Sequence, residues 1–191
     1  MLLKVKNWFK ERAETAHAKG WLVSLAFAES IIFPIPIDPL LVAILLVNAR
    51  KWMYYAFITT LASVLGAAVG YVLGLLFFDT VGQSIISFYF AEAEFASVAE
   101  FLNSGVFLFT FIAALTPIPF KLFVLSAGFT KANFLIFILA SIFGRAVRMY
   151  GVAYLTHRFG LQAVGITRRY ALPLTLIGLV IVVLYILLST F

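Results

Sequence analysis

Apolar residues dominate five stretches of this chain: Gly20 to Asn48, Trp52 to Phe78, Gly105 to Phe129, Ala132 to Leu155 and Ala171 to Ser189. Three of them read as uninterrupted helices. The other two are broken by prolines, at Pro34-Ile35-Pro36-Ile37-Asp38-Pro39 and at Thr116-Pro117-Ile118-Pro119-Phe120-Lys121. Proline lacks an N–H and clashes with the preceding helical turn, so neither broken stretch is one continuous helix. The arms of the first break are about 14 and 9 residues. Crossing a hydrocarbon core of about 30 Å takes roughly 20 helical residues. The pattern therefore predicts an all-α chain in which two hairpins enter a bilayer and turn back, and three helices cross it.

Polar positions orient these elements. Residues 1–19 interleave Leu2, Leu3, Val5, Trp8 and Phe9 with Lys4, Lys6, Lys10 and Arg12, the pattern of an interfacial amphipathic helix on an anionic leaflet. Those cations and Lys19 put the N-terminus in the cytoplasm, and Arg50-Lys51 put the next loop there as well. A hairpin over 20–48 satisfies both. Trp52 to Phe78 then crosses outward. Residues 79–104 hold Asp79, Glu92, Glu94 and Glu100 with no Lys or Arg, as expected of an external loop. Residues 105–129 form the second hairpin, from outside, and Ala132 to Leu155 crosses back. His157, Arg158, Arg168 and Arg169 mark a second cytoplasmic loop, and a last helix leaves over 171–190. Lys131 is the basic residue this arrangement places outside.

Composition agrees. Of 191 residues, 64% are hydrophobic and 12% charged, and mean hydropathy is +1.09. Soluble domains run at about 45–50% apolar and about 25% charged. A polytopic membrane protein of the bacterial cytoplasmic membrane is expected, with a membrane domain over 20–160. The first 19 residues lack the apolar core of a cleavable signal. The net charge of +6 flanks apolar stretches, which points to anionic headgroups rather than nucleic acid. Membrane lipids are the expected partners, and a homo-oligomer is left open. Cysteine is absent, His17 and His157 lie near charged ends, and no nucleotide loop, zinc motif or Ser-His-Asp set occurs. Neither a metal nor a cofactor is expected, and neither is enzymatic activity.

The halves echo each other. Pro34-Ile35-Pro36 recurs as Pro117-Ile118-Pro119, and Gly66-Ala67-Ala68-Val69-Gly70 recurs loosely as Gly144-Arg145-Ala146-Val147-Arg148. Two hairpin-plus-helix units entering from opposite faces are the inverted repeats of secondary transporters, whose broken helices mark the binding site. The row Gly66, Gly70, Gly74 lies on one helical face and admits a close neighbour.

Glu29, Asp38, Lys121, Arg145 and Arg148 are ionisable residues within apolar stretches. Such residues face a bundle interior or water and mark ion or substrate paths. Glu29 and Asp38 are proton-coupling candidates, or counter-ions of the cations. Arg145 and Arg148, spaced i, i+3, share a helical face. Guanidinium forks bind oxyanions bidentately, so these two arginines and Lys121 are headgroup-phosphate candidates. The breaks themselves rest on Pro34, Pro36, Pro39, Pro117 and Pro119.

At these residues the chain resembles the DedA family, the bacterial branch of the VTT-domain (SNARE-associated Golgi protein) superfamily, and within it the YqaA-like subgroup. The resemblance rests on Glu29-x4-Pro34-x-Pro36-x-Asp38, on Gly66-x3-Gly70-Tyr71-x2-Gly74, on Thr116-Pro117-Ile118-Pro119-Phe120-Lys121 followed by Ala127-Gly128, and on Gly144-Arg145. It implies membrane-embedded hairpins and lipid translocation, with undecaprenyl phosphate and phospholipids as suggested substrates and proton-motive coupling in some members. Many members carry two arginines in the second hairpin where this chain has Ala114 and Phe120. The leading expectation is a lipid transporter or scramblase acting on an anionic headgroup. The alternatives are a proton-coupled small-solute exporter and a non-transporting membrane assembly factor.

Overall fold

A computed structural model describes residues 16–31, 37–78, 99–100, 102–116 and 120–190. Its principal elements are α1 (Ala16–Ile31), α2 (Asp38–Val47), a 3-10 turn (Ala49–Lys51), α3 (Trp52–Phe77), α4 (Val106–Leu115), α5 (Phe120–Phe129), α6 (Phe134–Phe159) and α7 (Gln162–Thr190). The described residues are helical with short connections, as expected of an all-α chain. The amphipathic segment up to residue 15, the external loop over 79–98 and Pro34, Pro36, Pro117 and Pro119 lie outside the described residues.

Local chemistry sets the boundaries. Pro39 occupies the first turn of α2, where its missing N–H costs nothing. Asp38 opens the same helix, at the end whose free N–H groups favour an anion. Thr116 is extended at the end of α4, as expected of a residue before proline. Asn133 caps α6 by accepting from the Ile136 N–H at 3.1 Å. Gly160, at φ +58°, ends α6 in a conformation that other residues adopt at a cost. The helix α7 starts at Gln162, ahead of the apolar stretch that begins at Ala171.

The two long helices run antiparallel and in contact. Trp52 at the start of α3 packs on Tyr150, Tyr154 and His157 late in α6. Tyr71, late in α3, packs on Phe134 and Phe137 early in α6 and donates to the Ala132 carbonyl at 2.5 Å. Each has 26 residues, a length of about 39 Å. Both are long and apolar enough to cross a membrane.

The short helices form two hairpins around this pair. The outer end of the first lies at the start of α3: Lys19 Nζ sits 4.8 Å from the Tyr54 ring, and the Ala49 carbonyl is 2.9 Å from His157 Nδ1. Its inner end lies halfway along α3, where the Ser30 and Ser63 hydroxyls meet at 2.7 Å. The second hairpin starts and returns at the opposite end. There Asn103 donates to the Thr130 carbonyl at 3.2 Å, and Phe129 packs on Phe77 and Phe78. Lys131 is at that end too, with Nζ 4.7 Å from the Phe78 ring.

The first arm of each hairpin packs on the long helix that follows it in sequence, α1 on α3 and α4 on α6. The second arm packs on the other long helix, α5 on α3 and α2 on α6. Glycines make the closest contacts. A Cβ at Gly66 would run into the Phe27 carbonyl, and one at Gly144 would come 2.9 Å from the Phe111 carbonyl. These two glycines are the ones that match in the sequence echo.

Candidate functional site

The inner ends of the two hairpins meet halfway along α3 and α6. Arg145 and Arg148 are residues 12 and 15 of the 26 in α6, so Arg145 stands about 17 Å from one end of the helix and about 21 Å from the other. The i, i+3 spacing turns both toward the hairpins. Arg145 Nη1 lies 3.7 Å from Glu29 Oε1, and Arg148 Nη2 lies 2.5 Å from Asp38 Oδ2. The second pair is a charge-assisted hydrogen bond. The first is longer than a hydrogen bond and acts by charge.

Other groups hold these side chains. Arg148 Nη1 donates to the Thr116 carbonyl at 2.5 Å and reaches the Leu115 carbonyl at 3.4 Å. Those carbonyls end α4, the negative end of its dipole. Arg148 therefore ties the first hairpin, through Asp38, to the second, through Thr116. The Arg145 guanidinium lies 4.3 Å over the Phe120 ring, a cation–π contact with the first residue of α5. The Ile37 backbone N–H faces the Glu29 carboxylate. Lys121 follows Phe120 in the first turn of α5 and is partly buried.

The four charges are not equally sealed. The Arg145 side chain is 3% exposed and Glu29 19%, whereas Arg148 and Asp38 are 16% and 20% exposed. Each still has a buried polar atom without a hydrogen-bond partner among the described residues: Glu29 Oε2, Asp38 Oδ1, Arg145 Nε and Arg148 Nε. A buried polar atom left unpaired costs about 1–3 kcal/mol. Among the described residues the quartet thus keeps two open donors and two open acceptors. Chemically, the quartet can take water, can exchange a carboxylate for an incoming oxyanion on either arginine, and can move a proton at either carboxylate.

The structure brings together four of the five ionisable candidates, Glu29, Asp38, Arg145 and Arg148, and places Lys121 beside the phenylalanine under Arg145. Pro39 lies in the first turn of α2, next to Asp38. Sequence reasoning did not find three participants. Phe120 is one of 21 phenylalanines, and its only distinguishing mark is that it stands where the family resemblance implies an arginine. The Thr116 carbonyl was findable, since the residue before a proline cannot continue a helix and its carbonyls are freed. The buried Ser30–Ser63 pair gives no sequence signal, because each serine also reads as a small packing residue.

Comparison with known proteins places this geometry in a family context. The VTT domain profile matches residues 33–158, a span that includes Asp38, Lys121, Arg145 and Arg148. An uncharacterized protein of Haemophilus influenzae is 31% identical over 152 residues, covering 80% of this chain and 77% of the relative. A second uncharacterized protein, from Histophilus somni, is 29% identical over the same extent. No solved structure gives a significant match.

Proposed function

The chain belongs to the VTT domain family of membrane proteins, and from that premise we propose that it moves an anionic lipid headgroup between the leaflets of the bacterial inner membrane. The headgroup is a polyprenyl phosphate or phospholipid phosphate. The observation that carries this reading is the paired-charge quartet at the meeting of two hairpin ends, with a polar atom on each member that has no hydrogen-bond partner among the described residues.

In this reading α3 and α6 cross the bilayer, the hairpins are re-entrant from opposite faces, and the halves are inverted repeats. The equal lengths of the long helices, the reciprocal packing of the hairpin arms and the matching Gly66 and Gly144 contacts support it. The phosphate exchanges with Asp38 on Arg148, or with Glu29 on Arg145, while its tails stay in lipid. A displaced carboxylate takes a proton, so Glu29 and Asp38 couple headgroup movement to a proton gradient. Lys121 adds a cation to the path. The exposed apolar faces of α3 and α6, with Leu61 and Leu65 on one and Leu135 and Phe143 on the other, suit lipid contact.

The test is movement of fluorescent phosphatidylglycerol and polyprenyl phosphate in vesicles holding the purified chain. Arg148→Ala should reduce the rate by roughly tenfold to a hundredfold while the protein stays monodisperse. Asp38→Asn should remove dependence on an imposed pH gradient. Wild-type vesicles that move neither lipid would reject the reading and favour a non-transporting assembly role.

A further inference from the structure

The family match ends at residue 158, before α7 begins at Gln162, yet α7 packs against Thr116, beside the quartet. Its second half lies antiparallel along α4. Near the outer end, the Tyr185 hydroxyl donates to Ser104 Oγ at 3.3 Å, and the Tyr185 ring meets the edge of Phe109 at 5.5 Å. Two turns earlier comes Gly178, which is buried. A Cβ there would lie 2.8 Å from Ile112 Cγ2 and 3.4 Å from Thr116 Cγ2. Thr116 is also the residue whose carbonyl receives Arg148. One residue thus separates the surface of α7 from the guanidinium that ties the two hairpins together.

The other side of this half of α7 is open. Leu176, Ile177, Val180, Ile181 and Leu184 are exposed. On this flank α7 is a single helix between Thr116 and the surroundings. The helix carries a weak point little more than a turn before that contact. Pro173 stands inside the helix, five residues and about 7.5 Å before Gly178. Its missing N–H removes the bond to the Arg169 carbonyl, and prolines are where helices kink. The closest seat against α4 is a glycine, so little interlocks there.

We propose that the second half of α7 is a lateral gate, hinged at Pro173, that closes over Thr116 when seated and opens the Arg148–Asp38 pair sideways to lipid when lifted. The proposal rests on the lipid-transport reading and names the route by which a headgroup reaches the quartet with its tails still in the bilayer. Gly178 is the contact that allows full closure.

The chain has no cysteine, so Ile112→Cys with Gly178→Cys introduces a single pair. The separation at Gly178 puts the two sulfurs within disulfide reach. The full chain carrying the pair is placed in phosphatidylethanolamine/phosphatidylglycerol vesicles with fluorescent phosphatidylglycerol. Oxidation should slow lipid movement by at least roughly tenfold, and reduction should return it to within about twofold of wild type. An oxidised protein as fast as the reduced one overturns the gate. A second measurement does not depend on transport. Spin labels at Leu184 on α7 and Leu135 on α6, both exposed, should show two separations in wild type and one in Pro173→Ala. A single fixed separation in wild type overturns the gate even if lipid moves. Two separations in a protein that moves no lipid reject the transport reading and keep the moving helix.

Discussion

A guanidinium halfway along an apolar helix costs about 2.5–3.5 kcal/mol on insertion scales, and Arg145 holds that position almost fully sealed. What keeps it there is Glu29 at 3.7 Å and the Phe120 ring at 4.3 Å. Removing one partner of a buried pair costs about 3–5 kcal/mol, because it strands the other charge. Glu29→Gln should therefore lower stability in detergent by about that amount, and Glu29→Gln with Arg145→Met should regain most of it. Additive losses in a thermal-unfolding cycle would show that the two are not coupled. Asp38→Asn should cost less, since Arg148 keeps the Thr116 carbonyl and both side chains are partly exposed. Phe120→Leu should cost about 0.5–2 kcal/mol through the lost cation–π contact, read in the same unfolding experiment. The charges were legible in the sequence, because an ionisable residue inside an apolar stretch has few other readings. Which acid meets which arginine was not. Glu29 and Arg145 belong to different halves of the chain, and their pairing depends on how far two hairpins overlap.

At the scale of elements, the proline breaks announced the hairpins, but the packing partners came only with the structure. The row Gly66, Gly70, Gly74 reads as one contact face. In the fold it serves both hairpins: Gly66 receives Phe27 of α1, and Gly74 receives the Leu125 carbonyl of α5. A helical face records that something approaches closely, not what approaches. Gly66→Ala should push the α1 backbone off α3 and destabilise by about 1–3 kcal/mol, the usual scale of overpacking. Gly151→Ala on α6, where nothing lies within 4 Å, should be neutral or stabilise by up to about 1 kcal/mol through helix propensity. Equal losses in the two variants, measured by thermal unfolding in one detergent, would show that close approach is not what Gly66 provides. The early start of α7 has a similar cause. Arg168 and Arg169 end the apolar stretch without ending the helix, because charge says where water begins and says nothing about backbone dihedrals.

For the whole molecule, charge and contact geometry bear on the same arrangement from independent directions. Arg50, Lys51 and Arg158 are exposed at the end where the first hairpin begins and returns and where His157 meets Ala49. The second hairpin begins and returns at the other end, marked by Phe78, Asn103 and Thr130. If the first end faces the cytoplasm, every described element takes the side that the sequence charges assign to it, and Lys131 is an outside cation satisfied by the Phe78 ring. The sign of the whole is fixed by one comparison. In the cysteine-free chain, Ala49→Cys and Ser104→Cys sit at opposite ends of the long helices. An impermeant maleimide applied to intact cells should label the cysteine at 104 and leave the one at 49 unreacted until the cells are opened. The reverse pattern would turn the molecule over and put the cationic end outside, against the positive-inside rule. Labelling of both from outside would mean that α3 does not cross, and the hairpin ends would then not meet at membrane depth.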